Sequence, residues 1–412
     1  MTSAGAAALR HRDFRLFWIS LLTSGLALQM AAVAVGWQVY EISGNPLHLG
    51  LVGLAEFLPL PLLALPAGHL ADRWPRLRLF SAAVVLDVLA ALGLLALTVA
   101  GPTELWPFLS LAALTGVASA LGAPAGRALT PSLVPEEILV AAFAVRSIAF
   151  QASFVAGPAI GGLLFAIRPE LVYAVSAALS LASLGCVARM RAGRAPVAVG
   201  TPGLDSVLAG LRLIRRTPVL LGAISLDLFA VLLGGAVALL PVFAKDVLDV
   251  GPVGLGLLRA APAAGALLTA VLLARRPLSR RAGPTLVVAV AVFGVSMIVF
   301  GLSREMWLSL VALAVAGGVD MVSVVLRQTI LPLVTPDELR GRVNAVEMVF
   351  ISASNELGAF ESGVAAALVG AVPAVVIGGV ATVAIAVGWI WLFPALAGVD
   401  RLDELRPAEA PT

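Results

Sequence analysis

The sequence predicts an all-α membrane protein that crosses the lipid bilayer twelve times, and three observations predict this fold class. First, 60% of the 412 residues are hydrophobic and the mean hydropathy is +1.03, which is more apolar surface than a soluble protein of this length can bury. Second, the apolar residues fall into stretches of about 20, the length of one membrane span. The twelve candidate spans are 16–40, 47–70, 79–100, 105–126, 139–166, 170–189, 218–243, 252–274, 283–302, 306–331, 343–369 and 372–395.

The third observation is the distribution of positive charge between successive loops. The chain has 27 lysines and arginines, and with the N-terminus inside only Arg168, Lys245 and Arg304 fall in outer loops. Arg146 and Arg259 fall within spans. The other 22 are assigned to the inner side, including Arg327, which lies near the inner end of its span. Because cytoplasmic loops are rich in these residues, the alternation predicts a multi-pass membrane protein with both termini in the cytoplasm. Lys245 is the only lysine, a bias typical of a GC-rich bacterial genome, so we expect the bacterial inner membrane. A net charge of +3 arranged in this way does not indicate nucleic-acid binding.

The longest polar stretch of the chain divides the twelve spans into six and six. Its second part places Leu204, Leu208 and Leu211 at helical spacing beside Arg212 and Arg215, a pattern that predicts a short basic amphipathic helix at the inner leaflet. We therefore divide the chain into four segments. They are an N-terminal six-helix bundle at 1–190, a cytoplasmic linker at 191–217, a C-terminal six-helix bundle at 218–398 and a cytoplasmic tail at 399–412.

The two halves are related by an internal repeat. Residues 53–59 align with 256–262, and residues 131–138 align with 332–339 at nearly the same offset. Both alignments join equivalent spans, so together they indicate a duplication. Because each half has an even number of spans, the two bundles are expected to be pseudo-symmetric parallel repeats.

A cluster of charge joins the second and third spans. Gly68, Asp72, Arg73 and Arg76 lie in a short, basic, turn-rich loop between two apolar stretches. Gly68 permits close helix approach, and the Asp72 carboxylate suits the N-terminus of a neighbouring helix, where the helix dipole attracts an anion. The span that begins near residue 343 is the candidate neighbour.

The fifth span contains a second motif, formed by Gly157, Pro158, Gly161 and Gly162. A proline removes one helix hydrogen bond, and small residues allow backbones to approach closely. The motif therefore predicts a bent and tightly packed helix.

These motifs resemble those of the major facilitator superfamily of transporters. The Gly-x-x-x-Asp-Arg order within 68–79 is its signature loop, and the fifth-span motif is similar to the Gly-Pro-x-x-Gly-Gly motif of its antiporters. Residues 335–344 and 355–363 resemble the branch that contains enterobactin exporters and macrolide efflux proteins. The resemblance covers roughly residues 10–395 and departs from the family pattern at Pro75, where a glycine is usual.

The resemblance implies a monomer whose two bundles give alternating access to a central cavity. The cavity is lined by spans one, four, seven and ten, so Asp227 and Asp320 are its best candidate acids. The fourth span lacks the arginine of many proton-coupled members, and Arg146 on the fifth span is the candidate substitute. By the same resemblance, six residues form a latch that closes the cytoplasmic side. They are Gly68, Asp72, Arg73, Arg76, Arg340 and Arg342.

Charged residues within the predicted spans are the main functional candidates, because each costs about 2.5–3.5 kcal/mol at the bilayer centre on insertion scales. Glu56 and Arg259 occupy equivalent repeat positions and are candidates for an ion pair, and Glu356 lies at a level similar to that of Arg259. Asp87, Glu347 and Glu361 are also within spans but are not selected. The selected substrate and proton pathway is Glu56, Arg146, Asp227, Arg259, Asp320 and Glu356.

Two interpretations of these charges remain open. In the functional one, a carboxyl in a low-dielectric cavity takes up a proton readily, loads it from outside and releases it inside while substrate moves the other way. In the structural one, Asp320 and Arg327, which are seven residues apart and share a helix face, neutralise each other.

The sequence gives little support for an enzyme, a metalloprotein or a disulfide-bonded protein. The sequence has no phosphate-binding P-loop, no Gly-x-Ser-x-Gly and no metal-ligand spacing, so no enzyme activity, cofactor or metal is expected. Cys186 is the sole cysteine, which rules out an intramolecular disulfide. The apolar run after the charged N-terminus is far longer than the apolar core of a signal peptide, so we expect it to be a retained first span.

The sequence favours a secondary active transporter that exports small amphipathic organic molecules, such as a siderophore or a drug, by proton antiport with alternating access. The expected partners are the small-molecule substrate, protons and the lipid bilayer. Two alternatives stay open: uptake of a small metabolite, and a membrane sensor or scaffold that has lost transport.

Overall fold

The computed structural model describes residues 3–63, 74–191, 204–276, 278, 280–402 and 405. The regular secondary structure of the described residues is helical, and the only β contact among them is an isolated bridge between Arg280 and Arg401. The helices are α1 (Ser3–Arg10), α2 (Arg12–Ser43), α3 (Pro46–Phe57), α4 (Arg76–Ala100), α5 (Trp106–Leu129), α6 (Leu139–Ile167), α7 (Pro169–Ala188), α8 (Leu204–Arg216), α9 (Pro218–Gly234), α10 (Gly251–Arg275), α11 (Ala282–Leu302), α12 (Met306–Val334), α13 (Arg340–Val369), α14 (Ala371–Leu392) and α15 (Pro394–Ala397).

The all-helical membrane fold predicted from the sequence is confirmed. Eleven helical segments of the described chain are long and apolar enough to cross a membrane, and each matches a predicted span. The remaining predicted span, 343–369, corresponds to α13, which is 30 residues long but is not among the eleven. Glu347, Glu356 and Glu361 make this helix more polar than the others, so the count of twelve stays a prediction.

The chain divides into two compact units. The first contains Met1–Thr201 together with Asp249–Ala260, and the second contains Pro202–Leu248 together with Ala261–Thr412. The start of α10 thus belongs to the first unit and the rest of it to the second. The domain limits predicted from the sequence remain predictions.

In the first unit, α2 is the central helix, since it packs against both α6 and α7. Phe14, Phe17 and Phe80 are buried in one apolar cluster, with the Phe17 and Phe80 rings in an edge-on contact at 5.3 Å. Polar residues of α2 are paired where they are buried: the Tyr173 hydroxyl donates to Gln38 Oε1 at 2.7 Å. This pairing removes the penalty of placing polar groups in an apolar interior.

In the second unit, α11 packs against α12 and α14, and α9 packs against α13. Its main apolar cluster includes Leu226 of α9, Leu286 of α11 and Leu326 of α12. These contacts hold the face of α12 that carries its charged residues against α9 and α11, and that face forms the candidate site described below.

The amphipathic helix predicted in the linker is α8, and the described side chains at the end of its apolar face pack on protein. Leu213 and Ile214 are each 1% exposed and belong to a cluster with Val343 and Val346 of α13. The basic face, which includes Arg212, is exposed. A sequence pattern shows that a helix has an apolar face, but it does not show whether lipid or another helix covers that face.

Replacing Leu213 with alanine tests this packing. We expect a loss of about 2–5 kcal/mol of unfolding free energy, because the side chain leaves a cavity against α13. Arg212→Ala, on the exposed face of the same helix, is the control and should change stability by less than about 0.5 kcal/mol. Denaturant unfolding in detergent measures both, and equal stabilities for the two variants would show that α8 is only loosely attached.

Candidate functional site: a shared arginine on α12

The centre of the candidate site is Arg327, which lies between two carboxylates on neighbouring helices. Its Nη2 atom is 2.8 Å from Oδ1 of Asp227 on α9, and its Nη1 atom is 3.6 Å from Oε1 of Glu347 on α13. The side chains of Arg327 and Asp227 are only 4% and 9% exposed. The three residues form a buried ion triad, the name used below, that joins α9, α12 and α13.

Helix geometry explains why these three residues meet. At about 1.5 Å of rise per residue, Asp227 lies about 14 Å from the start of α9, and Arg327 and Glu347 lie about 10 Å from the end of α12 and the start of α13. Those three helix ends are all on the side predicted to be cytoplasmic. The three side chains are therefore at a similar depth, and only the rotation of each helix decides whether they touch.

Asp320 and Ser323 extend the site along the same face of α12. Together with Arg327 they occupy positions i, i+3 and i+7 of the helix, which share one face. A small cavity of about 10 Å³ opens beside them and is lined by Asp227, Asp320 and Ser323. The spacing of Asp320 and Arg327 predicted that these two residues lie close together. They belong to a larger group, in which the carboxyls of Asp227, Asp320 and Glu347 lie around Arg327.

Arg327 and Glu347 were missed as site residues by sequence reasoning. Arg327 was assigned to the inner side with the loop arginines, whereas it is in the interior of α12 and buried. The available signal was its spacing from Asp320, which placed two opposite charges on one helix face within a span. Glu347 was recognised as a charge within a span, but nothing in the sequence indicated which helix it faces.

Glu356 lies on α13 but outside the triad. It is nine residues beyond Glu347, so it is about 14 Å further along the helix. It is half-buried and has an interaction of its own. Among the residues that the structure describes, no group of three or more histidine, cysteine or acidic side chains could hold a metal ion.

The predicted charges of the first unit are placed differently. Arg259 of α10 donates from Nη1 to the backbone oxygen of Ala32 in α2, at 3.2 Å, and it attracts Glu56 electrostatically. Asp87 also acts on Glu56, so these charges form a second group. Arg146 is separate from it.

Arg146 lies near the start of α6. It donates to Oγ1 of Thr130 at 3.5 Å and is close enough to Arg127 for mutual repulsion. Because Arg146 is only seven residues from the start of α6, it is about 10 Å from that helix end. The described neighbours of the Arg146 guanidinium are therefore the hydroxyl of Thr130 and a second cation, Arg127.

The predicted latch is only partly visible, because Gly68, Asp72 and Arg73 lie outside the described residues. Arg76, at the start of α4, donates from Nη1 to the backbone oxygen of Ala128, at 3.1 Å. Arg340 is exposed and pairs with Asp337 in the adjacent turn, at 2.7 Å.

Arg342, the remaining latch residue, is exposed at the start of α13. Its backbone oxygen lies against α8, where a Cβ built on Gly210 would be only 2.9 Å away. The role of the latch residues therefore stays a prediction.

The fifth-span motif acts as a packing surface of α6. A Cβ built on Gly161 would lie 2.8 Å from the Cα of Met30 in α2, and one built on Gly157 would lie 2.5 Å from the Cβ of Gln29. On the other side, Gly162 meets Gly256 of α10, where an added Cβ on Gly256 would be 3.1 Å from the Cα of Gly162. Glycine is thus required where α2 and α10 touch α6.

Comparison with known proteins decides the family. A family model described as transmembrane secretion effector matches residues 3–409, nearly the whole chain. The chain belongs to this family. It is therefore a multi-pass membrane transporter of the major facilitator superfamily and not an enzyme, as the sequence predicted.

Two curated relatives are exporters. The chain is 30% identical to the multidrug efflux pump Tap of Mycolicibacterium fortuitum, over 84% of its own length and 88% of the relative. It is 29% identical to the enterobactin exporter EntS of Shigella dysenteriae serotype 1 (strain Sd197), over 82% of its own length and 81% of the relative. The branch resemblance stated from the sequence is confirmed.

Solved structures support the fold. One similar structure is a bacterial homolog of the human lysosomal transporter Spinster, in an inward-facing and occupied conformation, with a TM-score of 0.70, 14% identity and coverage of 94% and 96% of the two chains. Another is a bacterial homologue of the iron transporter ferroportin in an inward-facing state, with a TM-score of 0.67, 18% identity and coverage of 94% and 99%. At these identities the likeness concerns the fold alone.

Arg327→Gln should destabilise the transporter strongly. Removing one partner of a buried ion pair leaves an uncompensated charge, which costs about 3–5 kcal/mol, whereas Arg340→Gln breaks an exposed pair worth at most about 1 kcal/mol. The Arg340 and Asp337 side chains are 45% and 78% exposed, so this pair is the matched control. Thermal unfolding in detergent compares the two variants, and adding Asp227→Asn to Arg327→Gln should recover part of the loss. Equal effects of the two single substitutions would contradict a buried triad.

Gly161→Ala should lower the unfolding free energy by about 1–3 kcal/mol, because the added methyl group forces α2 away from α6. Gly185→Ala is the control, since it lies in α7 with no atom within 4 Å of an added Cβ and alanine favours a helix by up to about 1 kcal/mol. The same unfolding measurement distinguishes them. If Gly161→Ala were as stable as Gly185→Ala, close packing at Gly161 would not be required.

Proposed function

We propose that this transporter exports small amphipathic organic molecules, siderophores or drugs, by proton antiport with alternating access. The observation that carries the proposal is the buried ion triad with Asp320 beside it. One arginine cannot neutralise Asp227, Asp320 and Glu347 together, and an excess of buried negative charge is costly. Uptake of a proton reduces that charge, so the group suits a site that binds and releases protons.

The position of the group suits coupling as well as binding. A proton that neutralises Asp227 removes its attraction for Arg327, whose remaining partner in the triad is Glu347. Because these residues are on α9, α12 and α13, a change in protonation alters the attraction between three helices. A buried ion pair of this kind adds little net stability compared with apolar packing, which favours a role in switching.

The substrate class rests on the relatives. One relative is named as an exporter of enterobactin and another as a multidrug efflux pump, and both match more than four fifths of this chain. Gly157, Pro158, Gly161 and Gly162 support export, because the motif resembles that of facilitator antiporters. We further propose that the transporter acts as a monomer in the bacterial inner membrane.

The remaining site residues complete the proposed cycle. Glu56, Arg146, Arg259 and Glu356 are proposed to belong to the proton and substrate pathway with Asp227 and Asp320. The latch is proposed to close the cytoplasmic side, on which the alternation of loop arginines predicts both termini. The residues of that latch are Gly68, Asp72, Arg73, Arg76, Arg340 and Arg342.

Transport by purified protein in proteoliposomes tests the direction of coupling. Enterobactin and a macrolide serve as probes, with an imposed pH gradient. An antiporter accumulates a probe when the interior is acidic, in either orientation of the protein, whereas a proton-coupled uptake transporter accumulates it when the exterior is acidic. Accumulation driven only by an acidic exterior would contradict export, and no accumulation under either gradient would favour a sensor or scaffold.

Asp227→Asn and Asp320→Asn test the proton site in the same assay. Each should lower the rate of gradient-driven accumulation by about 100-fold, the lower end of the range for loss of a proton-transferring group. Both variants should remain folded in thermal unfolding: Asp320→Asn leaves both pairs of Arg327 in place, and Asp227→Asn leaves Glu347 beside Arg327 and loses only part of the stability. Asp337→Asn removes an exposed carboxylate that is 78% accessible and should transport as the wild type does. Normal transport by both buried variants would exclude the proposed proton site.

A further inference from the structure

The buried hydroxyl of Ser323 on α12 lies beside the ion triad but outside its contacts, and it lacks a hydrogen-bond partner, as does Nε of Arg327 on the same helix. Within helices, serine and threonine hydroxyls commonly donate to the backbone oxygen four residues earlier. Thr329 of the same helix does so to Val325 at 2.8 Å, and Ser296 of α11 does so to Val292. Ser323 Oγ is buried and has no hydrogen-bond partner within the described protein, which costs about 1–3 kcal/mol for a hydroxyl in an apolar interior.

The cavity beside Ser323 supplies the place for a partner. Its volume is about 10 Å³, close to the minimum that one water molecule needs. Two carboxyl groups, those of Asp227 and Asp320, line the same cavity. A buried water needs two to four polar partners, and the three side chains provide that number.

The donors and acceptors also match. The water can donate one hydrogen to each of the two carboxylates and accept one from the Ser323 hydroxyl. The side of the cavity formed by α11 is apolar, lined by Ala289, Val290 and Phe293. The ionisable groups around the water are therefore Asp320 and Arg327 on α12, Asp227 on α9 and, across Arg327, Glu347 on α13.

We propose that this cavity binds a single water molecule, held by Ser323, which carries a proton between Asp320 and Asp227. The transfer balances without a further reactant. The carboxylic acid of Asp320 gives its proton to the water oxygen while the water gives one of its own protons to the Asp227 carboxylate. The water is regenerated, Asp320 becomes anionic, and Asp227 becomes neutral and loses its attraction for Arg327.

The transfer gives the two acids distinct tasks. Asp320 is the entry site, and Asp227 passes the change in charge to the triad. Ser323 is a positioning residue, since it acts by orienting the water. This inference rests on the proposed function for its role in transport, but the water site itself is a property of the protein without substrate.

Infrared difference spectroscopy on the full-length protein in lipid tests the water site directly. Spectra between acidic and alkaline buffer are recorded in ordinary water and in water labelled with oxygen-18. We expect a water O–H band that shifts with the isotope and titrates together with a carboxyl band, and both should be lost in Asp320→Asn. Absence of an isotope-sensitive band coupled to that carboxyl would overturn the proposal, whatever the protein transports.

Variants at Ser323 supply the second readout. Ser323→Ala removes the hydroxyl and should weaken the water band and slow pH-driven transport of a probe about tenfold, the factor for one ordinary hydrogen bond. Ser323→Val also fills the cavity and should abolish the band. Exchange of labelled for unlabelled probe at equal pH needs no net proton transfer and should stay within about twofold of wild type in Ser323→Ala, since a merely structural role would slow both modes alike.

Ser296→Ala is the matched control, because it removes a buried hydroxyl of the same unit that bonds within its own helix. It should keep the band and both transport modes. If Ser323→Ala behaved like Ser296→Ala in the spectra, the water assignment would be wrong. If the wild type showed the band but no pH-driven transport, the water site would stand and the proposed antiport would fail.

Discussion

The architecture of the second unit depends on one buried cation. Arg327 extends from α12 to carboxylates on α9 and α13. These contacts fix the positions of the three helices along their axes, because they hold Asp227, Arg327 and Glu347 at the same depth. Apolar side chains tolerate a small shift along a neighbouring helix, but an ion pair at 2.8 Å does not. The triad therefore sets the register of these helices, which is the best-attested use of a buried ion pair. It also makes that register dependent on charge.

In the first unit, helices are held in place mainly by close contact between their backbones. The backbones of α2 and α10 come near α6 because glycines leave room for them, and buried polar groups such as Gln38 and Tyr173 are neutral and paired. Contacts of this kind do not change with proton concentration. Within the described residues, α2 thus packs mainly through neutral contacts, with Arg259 bonded to its backbone, whereas α12 carries the buried charge of the triad.

Much of the fold followed from the sequence because it depends on local composition. Apolar stretches of span length predicted the helices, and the spacing of Asp320 and Arg327 predicted their common face. The pairing of Arg327 with Asp227 did not follow, because it depends on how two helices distant in the chain are rotated toward each other. The burial of Arg327 was hidden by its place near the inner end of a span, where an arginine is usually at the membrane surface. For α8 the amphipathic pattern was correct, and only the identity of the covering surface was missing.

The polarity of α13 has a consequence for biogenesis. A segment with Glu347, Glu356 and Glu361 among its residues is a poor candidate for independent partitioning from the translocon into lipid, because each acid opposes insertion by kilocalories. The preceding segment, α12, carries the arginine that Glu347 contacts. If α12 waits at the lateral exit until α13 emerges, the two opposite charges can neutralise each other before either meets the hydrocarbon. The Arg327–Glu347 contact, which joins α12 to α13 in the folded protein, would then also lower the cost of inserting the two helices together.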